Sequence, residues 1–246
     1  MTVIDAHAMF RSMFCRYVLR TTDPVAARAF YADALGLVLP DGMSEGSALE
    51  SWALHERAIA RGAPPHWLGQ IAVSDVEATI EHLLARGSEP LGPGVQAQDG
   101  TPFATVRDPF GSVVGVCGRE AKVKDSPVVW HQLHTSDLEG SWALYSELFG
   151  WSLKQSLDVA EPVGGYRLFA WSEASPIVGG MGNTARQLGV HQHWLFCFEV
   201  TDIDEAIARV RTLRGTAMKP FALPDGMRVA GCEDPQGAAF GVAQRA

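Results

Sequence analysis

The chain has 246 residues, 47% of them hydrophobic and 20% charged, and a formal net charge of −8. It is long enough for two domains with their own cores and too apolar to be disordered. The acidic balance leaves no basic stripe for nucleic acid or an anionic membrane surface. No apolar run approaches the roughly 20 residues of a membrane span.

Met1 to Met13 carries Asp5, His7 and Arg11 and lacks an apolar h-region, so no signal peptide and a cytoplasmic location are expected. The first predicted strand ends at Asp23, and Pro24 opens a helix that runs to Gly36. The same strand–Asp–helix–Gly order returns at Asp75 and Gly87, Asp137 and Gly150, and Asp202 and Gly215. Aspartate suits the N-cap because its carboxylate accepts free N–H groups of the first turn. Glycine suits the left-handed position after the last turn, which is expected at all four glycines. Val76, Ile80, Leu83 and Leu84 form an apolar stripe, as do Leu138, Trp142, Tyr145 and Phe149, and again Ile203, Ile207 and Val210; each stripe reads as a face packed on a sheet.

Between the helices lie short extended runs. Ala48 to Arg61 reads as one strand or a short helix, and Gly164 to Trp171 alternates like a half-buried strand. Thr101 to Arg107 and Met227 to Cys232 lead into two Asp-Pro-x-Gly turns, at Asp108 and Asp234, followed by closing strands at Val113 to Val116 and Ala239 to Val242. The resulting unit is β-α-β-β-β, four times over. Glu120 to Pro127 reads as a linker, giving expected domains at 11–119 and 128–246.

The four units pair into a duplication. His66 to Val76 returns as His193 to Ile203, Asp108 to Val116 as Asp234 to Val242, and Leu19 to Asp23 as Leu133 to Asp137, at offsets of 114 to 127 residues. The cysteines, Cys15, Cys117, Cys197 and Cys232, show no metal-type spacing and read as reduced, structural residues.

These features resemble the vicinal oxygen chelate superfamily, the group of glyoxalase I, bleomycin-resistance proteins and extradiol dioxygenases. The second half carries the resemblance most fully, in Trp130 to Asp137, Leu144 to Trp151, Gly179-Gly180-Met181 and His193 to Val242. It is similar to tandem-domain members typified by a mycobacterial culture-filtrate antigen. The resemblance implies an α+β fold of four βαβββ units, forming two tandem domains with cup-shaped mixed sheets.

In the family's metalloenzymes a divalent ion is held by side chains seven residues before each helix-capping Asp and by acidic residues on closing strands, the last four residues after the Gly of Asp-Pro-x-Gly. Those places here are Arg16, Leu68, Trp130 and Leu195, then Gly115 and Gly241. None is a cation donor, so no metal and no cofactor are expected.

Period-2 alternation groups the residues that share the ligand face. They are Arg16, Val18 and Arg20 with Leu68, Gln70 and Ala72 and with Val113, Gly115 and Cys117. In the second domain they are Trp130, Gln132 and His134 with Leu195, Cys197 and Glu199 and with Ala239, Gly241 and Ala243. Glycine at a ligand place either opens room for a flat ligand or permits close strand packing. Arg16 and Arg20 suit either a carboxylate or phosphate ligand or salt bridges to the acidic surface, Trp130 either an aromatic ligand ring or a core plug, and Gln70, Gln132 and His134 the polar lining. His134 and Glu199 are weak candidates for acid–base catalysis, because four residues of strand separate each from the ligand places. His191 and His193, with His131 and His134, read as strand-edge histidines.

Three functions remain open: a metal-free protein that binds an apolar or aromatic small molecule; an enzyme of lyase, isomerase or oxygenase type, working without metal or with a non-standard metal site; and an interaction module with collapsed cavities. The expected partner is a small molecule rather than nucleic acid or membrane, and a homodimer is compatible with the sequence.

Overall fold

The structure, a computed structural model, describes residues 12–42, 47–92, 94–98, 100–118 and 126–246. The N-terminal segment before Ser12 and most of the expected linker at 120–127 lie outside the described residues.

The first quarter runs through β1 (Phe14–Thr21), α1 (Pro24–Leu35), β2 (Leu49–Ala53) and a short α2 (Glu56–Ala60). The stretch from Ala48 to Arg61 is thus both a strand and a helix. The second quarter comprises β3 (His66–Val73), α3 (Val76–Ala85), β4 (Glu89–Pro90), β5 (Gln96–Gln98), β6 (Thr101–Arg107) and β7 (Val113–Gly118). The third comprises β8 (Val128–His134), α4 (Leu138–Phe149), β9 (Ser152–Asp158), β10 (Gly165–Ala170) and β11 (Gly179–Gly182). The fourth comprises β12 (His193–Glu199), α5 (Ile203–Thr212), β13 (Thr216–Ala217), β14 (Phe221–Ala222), β15 (Arg228–Glu233) and β16 (Ala239–Gln244).

These strands form two mixed sheets. One has seven strands in the order β2-β1-β3-β7-β6-β4, with β5 beside β6. The other has nine in the order β13-β15-β16-β12-β8-β11-β10-β9, with β14 beside β15. Each sheet draws on one half of the duplicated sequence.

The four helices that open the quarters start as their aspartates dictate. Asp23, Asp75, Asp137 and Asp202 accept the backbone N–H groups of Ala26, Ala78, Gly140 and Glu205 at 2.9–3.0 Å. At the C-termini three glycines are left-handed as expected: Gly36 at φ 69°, Gly87 at 91° and Gly150 at 69°. The fourth expectation fails. Arg214 takes the positive φ, 69°, after α5. Gly215 is needed for another reason: a Cβ there would lie 2.7 Å from the Glu233 carbonyl oxygen. The apolar stripes are buried except at Leu84, which is exposed, and Trp142, half-buried beneath the Arg167 guanidinium 5.7 Å from its ring.

Packing divides the chain into two compact units. The first is built from the described residues of Met1–Phe14, Ile71–Ala121 and Thr135–Gln192. Its core is an aromatic stack in which Trp151 lies against Phe169 at 5.0 Å and Tyr145 at 5.5 Å, with Phe14, Phe149 and Trp171 around it. The Tyr145 hydroxyl donates to Asp108 at 2.9 Å, and Asp108 also accepts the N–H groups of Phe110 and Ser112 in its Asp-Pro turn.

The second unit is built from Cys15–Gln70, Lys122–His134 and His193–Ala246, again as far as described. Its core gathers Tyr31, Trp67, Phe198 and Phe240 at centroid separations of 5.1–6.3 Å. The Tyr31 hydroxyl donates to Asp234 at 3.2 Å, repeating in this unit the tyrosine–aspartate bond of the first. Burial raises the pKa of both aspartates, against the hydrogen bonds they accept.

Candidate functional site

The second unit holds a polar cluster on an otherwise apolar sheet face. The Trp67 indole N–H on β3 donates to the Tyr31 hydroxyl of α1 at 2.8 Å, so His66, Leu68 and Gln70 face away from that helix. Strand β2 runs parallel to β1 with Val18 opposite Glu50 and Arg20 opposite Trp52. Residues opposite one another share a face, so Glu50 and Trp52 join Arg16, Val18 and Arg20. In the second copy β12 pairs with β8 through His193 and His134, Leu195 and Gln132, and Cys197 and Trp130. Carried through the repeat, that register sets His66 beside Arg20, Leu68 beside Val18, and Gln70 beside Arg16.

Glu50 is the centre of this face and is only 2% exposed. Its Oε2 accepts the Trp52 indole N–H at 3.0 Å, and its Oε1 lies 3.4 Å from Arg16 Nε as an ion pair rather than a directed hydrogen bond. Arg16 Nε, Glu50 Oε1 and Gln70 Oε1 are all buried and lack a hydrogen-bond partner. Arg20, half-buried, lies over the Trp52 ring with its guanidinium carbon 5.8 Å from the centroid. Burial lowers the Arg20 pKa, opposed by the Glu50 charge, but a guanidinium starts so high that it stays protonated. Burial also lowers the pKa of His66; a hydrogen bond to the Pro64 carbonyl opposes the shift and the Arg20 charge adds to it. The imidazole is therefore neutral near pH 7.

The equivalent face of the second copy is packed differently. Trp130 is 2% exposed beside Cys197, and Gly241 lies opposite Cys197 on β16. A Cβ on Gly241 would stand 2.2 Å from the Cys197 sulfur, so this glycine serves close packing and opens no room for a ligand. Burial pushes the Cys197 thiol pKa up, and all four cysteines are buried. Gln132 donates from Nε2 to the Leu133 carbonyl at 3.1 Å.

His134 stacks on His193 at 4.7 Å; burial, with the neighbouring His193 adding, pushes its pKa down to about 3. Glu199 is exposed and ion-paired to Arg245 at 2.8 Å. Six residues of β12 separate Glu199 from the His193–His134 end of the ladder, roughly 20 Å. The structure does not bring His134 and Glu199 together. His131 is buried, with its Nε2 2.6 Å from the Tyr17 hydroxyl.

Of the sequence-derived site residues, Arg16, Arg20 and Gln70 share one face, while Trp130, Gln132 and His134 share its counterpart. Glu50 and Trp52 were not foreseen. Val18 and Cys197 each lie five residues before a helix-capping Asp; Val18 faces Glu50 and Cys197 faces Gly241, so Glu50 is the first-quarter counterpart of Gly241. No Asp-Pro-x-Gly turn precedes β2, so the motif that located Gly115 and Gly241 gave no anchor for Glu50. Among the described residues no three His, Cys, Asp or Glu side chains are grouped to hold a metal ion, and no helix is long and apolar enough to cross a membrane.

Comparison with known proteins agrees with this frame. A family model described as the Glyoxalase/Bleomycin resistance protein/Dioxygenase superfamily matches residues 14–116 and 128–242, and the chain belongs to that superfamily. Proteins of Mycobacterium bovis and Mycobacterium tuberculosis, both named "Putative glyoxylase CFP32", are 29% identical over 243 residues, covering 91% of each chain. Among solved structures, the Mn(II)-bound glyoxalase from Novosphingobium aromaticivorans superposes with a TM-score of 0.66 at 14% identity, covering 95% of this chain and 82% of that one. The 2,3-dioxygenase LapB from Pseudomonas sp. KL28 gives 0.66 at 12% identity, covering 96% and 93%. At such identities the two structures speak for the fold alone.

Proposed function

We propose that this superfamily member binds an apolar or aromatic small molecule on the β1–β2–β3 face and does so without a divalent metal. The observation that carries the reading is the Arg16–Glu50 pair. A guanidinium stands where the family resemblance places a metal donor, and it neutralises the carboxylate that could otherwise have served as one. In the sequence, Leu68 and Gly115 stand at the other donor positions of the first copy, and Trp130, Leu195 and Gly241 at those of the second. These residues do not fit a divalent ion.

They do suit an organic ligand: the half-buried Trp52 ring, backed by the buried Val18 and Leu68, supplies apolar surface, and a few fixed polar atoms supply orientation. An acidic chain with buried cysteines fits a cytoplasmic protein acting on a diffusible molecule rather than on nucleic acid or membrane.

The test is calorimetric titration of EDTA-treated protein with neutral aromatics such as benzyl alcohol and 2-naphthol. Saturable binding that persists after EDTA and weakens in Trp52→Ala is expected. Binding that appears only when Mn²⁺, Fe²⁺ or Zn²⁺ is restored would overturn the reading, as would no binding at all.

A further inference from the structure

We propose that the β1–β2–β3 face selects an aromatic monocarboxylate, with the Arg20 guanidinium receiving the carboxylate and the Trp52 ring lying against the ligand. The inference rests on the proposed function and narrows it to a charge class.

The charge balance of the face leads there. Arg16 and Glu50 cancel as a buried pair. His66 beside Arg20 is neutral near pH 7 and offsets nothing. Among the described residues no carboxylate forms an ion pair with Arg20, whose guanidinium lies over the Trp52 π-face; the Glu50 charge reaches it without direct contact. A half-buried guanidinium with five N–H donors, whose nearby carboxylate Glu50 is already paired with Arg16, is incompletely satisfied, because a ring face compensates less charge than a carboxylate of its own does.

A ligand carboxylate would complete the pairing in the fork geometry that arginine favours, and an attached ring would lie against the half-buried Trp52 and His66. The remaining polar atoms constrain the rest of the molecule. Glu50 Oε1 and Gln70 Oε1 are buried acceptors without a hydrogen-bond partner, on residues only 2% and 4% exposed, Glu50 Oε1 being held by the Arg16 charge alone. An O–H or N–H on the ring of the bound acid would satisfy them. The site thus pairs a cation with apolar surface and two acceptors, and a hydroxylated aromatic acid matches all three.

The experiment compares benzoate and 4-hydroxybenzoate with benzyl alcohol on the intact chain by calorimetry, in low-salt buffer at pH 8. Each carboxylate is expected to bind about tenfold or more tighter than the alcohol, since a charge-assisted contact contributes that much. 4-Hydroxybenzoate is expected to bind more tightly than benzoate. Arg20→Gln should bring the benzoate-to-alcohol ratio down to about one, and Arg20→Lys should keep part of the preference; thermal unfolding establishes that both variants are folded.

If the alcohol binds as well as benzoate, this inference fails while the proposed function stands. If neither binds, both fail. Displacement of benzoate by equimolar inorganic phosphate would show a bare anion site and overturn the aromatic part. A benzoate preference that survives in folded Arg20→Gln would overturn the assignment to Arg20.

Discussion

Arg16 and Glu50 are each acceptable in the interior only because of the other. Glu50→Leu leaves a guanidinium buried without its counter-charge and is expected to cost about 3–5 kcal/mol. Replacing both, as Arg16→Met with Glu50→Leu, should return stability close to that of the parent, since two buried charges disappear together. Urea unfolding of the parent, the single variant and the double variant checks this; a double variant as unstable as the single would contradict the pairing.

His134 supplies a pH-dependent counterpart. Its folded pKa of about 3 lies below the ordinary 6.5, so the unfolded chain takes up its proton first as the pH falls. Its neutral form therefore leaves stability intact above about pH 6.5, and stability is lost as the pH falls from there toward 3. Between pH 8 and pH 5 the loss from this group is about 2 kcal/mol. His134→Gln should flatten that part of the stability curve, and an unchanged acid limb would refute the assignment. At this scale the sequence showed Arg16, Arg20 and Gln70 on one face because alternation is a local property of a strand. It did not show that Glu50 would claim Arg16, because that contact depends on which strand lies beside β1.

Among the elements, what was legible was local and what was missed was not. The capping aspartates and the Asp-Pro turns satisfy backbone groups within four residues, so short motifs announce them. Gly215 was misread because the left-handed residue fell one position earlier, at Arg214, while the glycine answers to the Glu233 carbonyl of another strand. The stretch from Ala48 to Arg61 was ambiguous because a five-residue strand and a five-residue helix are each too short to show a period.

Two predictions belong to this scale. Gly241→Ala drives a methyl group into the Cys197 sulfur and should cost about 1–3 kcal/mol, with part of that recovered when Cys197→Ala is added. Tyr31→Phe and Tyr145→Phe each strip a donor from a buried aspartate, and each should lower stability by about 1–3 kcal/mol. Thermal unfolding measures all four variants. An Asp-Pro turn that tolerated loss of its tyrosine without effect would show that the repeated bond contributes nothing.

For the whole molecule, duplication was the clearest message of the sequence, and each sheet is drawn from one copy. Which quarters pack into a compact unit was not legible: the first and fourth quarters supply most of one unit, the second and third most of the other. Helix stripes announce that a face is buried but not against what. The two copies have also diverged on a common frame, one face closing over Trp130, Cys197 and Gly241, the other keeping charge at Arg16, Arg20 and Glu50.

In the proposed reading, an arginine, not a metal ion, is the resident cation of the first copy. Equilibrium dialysis of the chelator-treated chain against Mn²⁺, Fe²⁺ and Zn²⁺ tests it most directly. No stoichiometric binding is predicted for the parent chain. One equivalent of ion per chain, lost in Glu50→Gln, would contradict it.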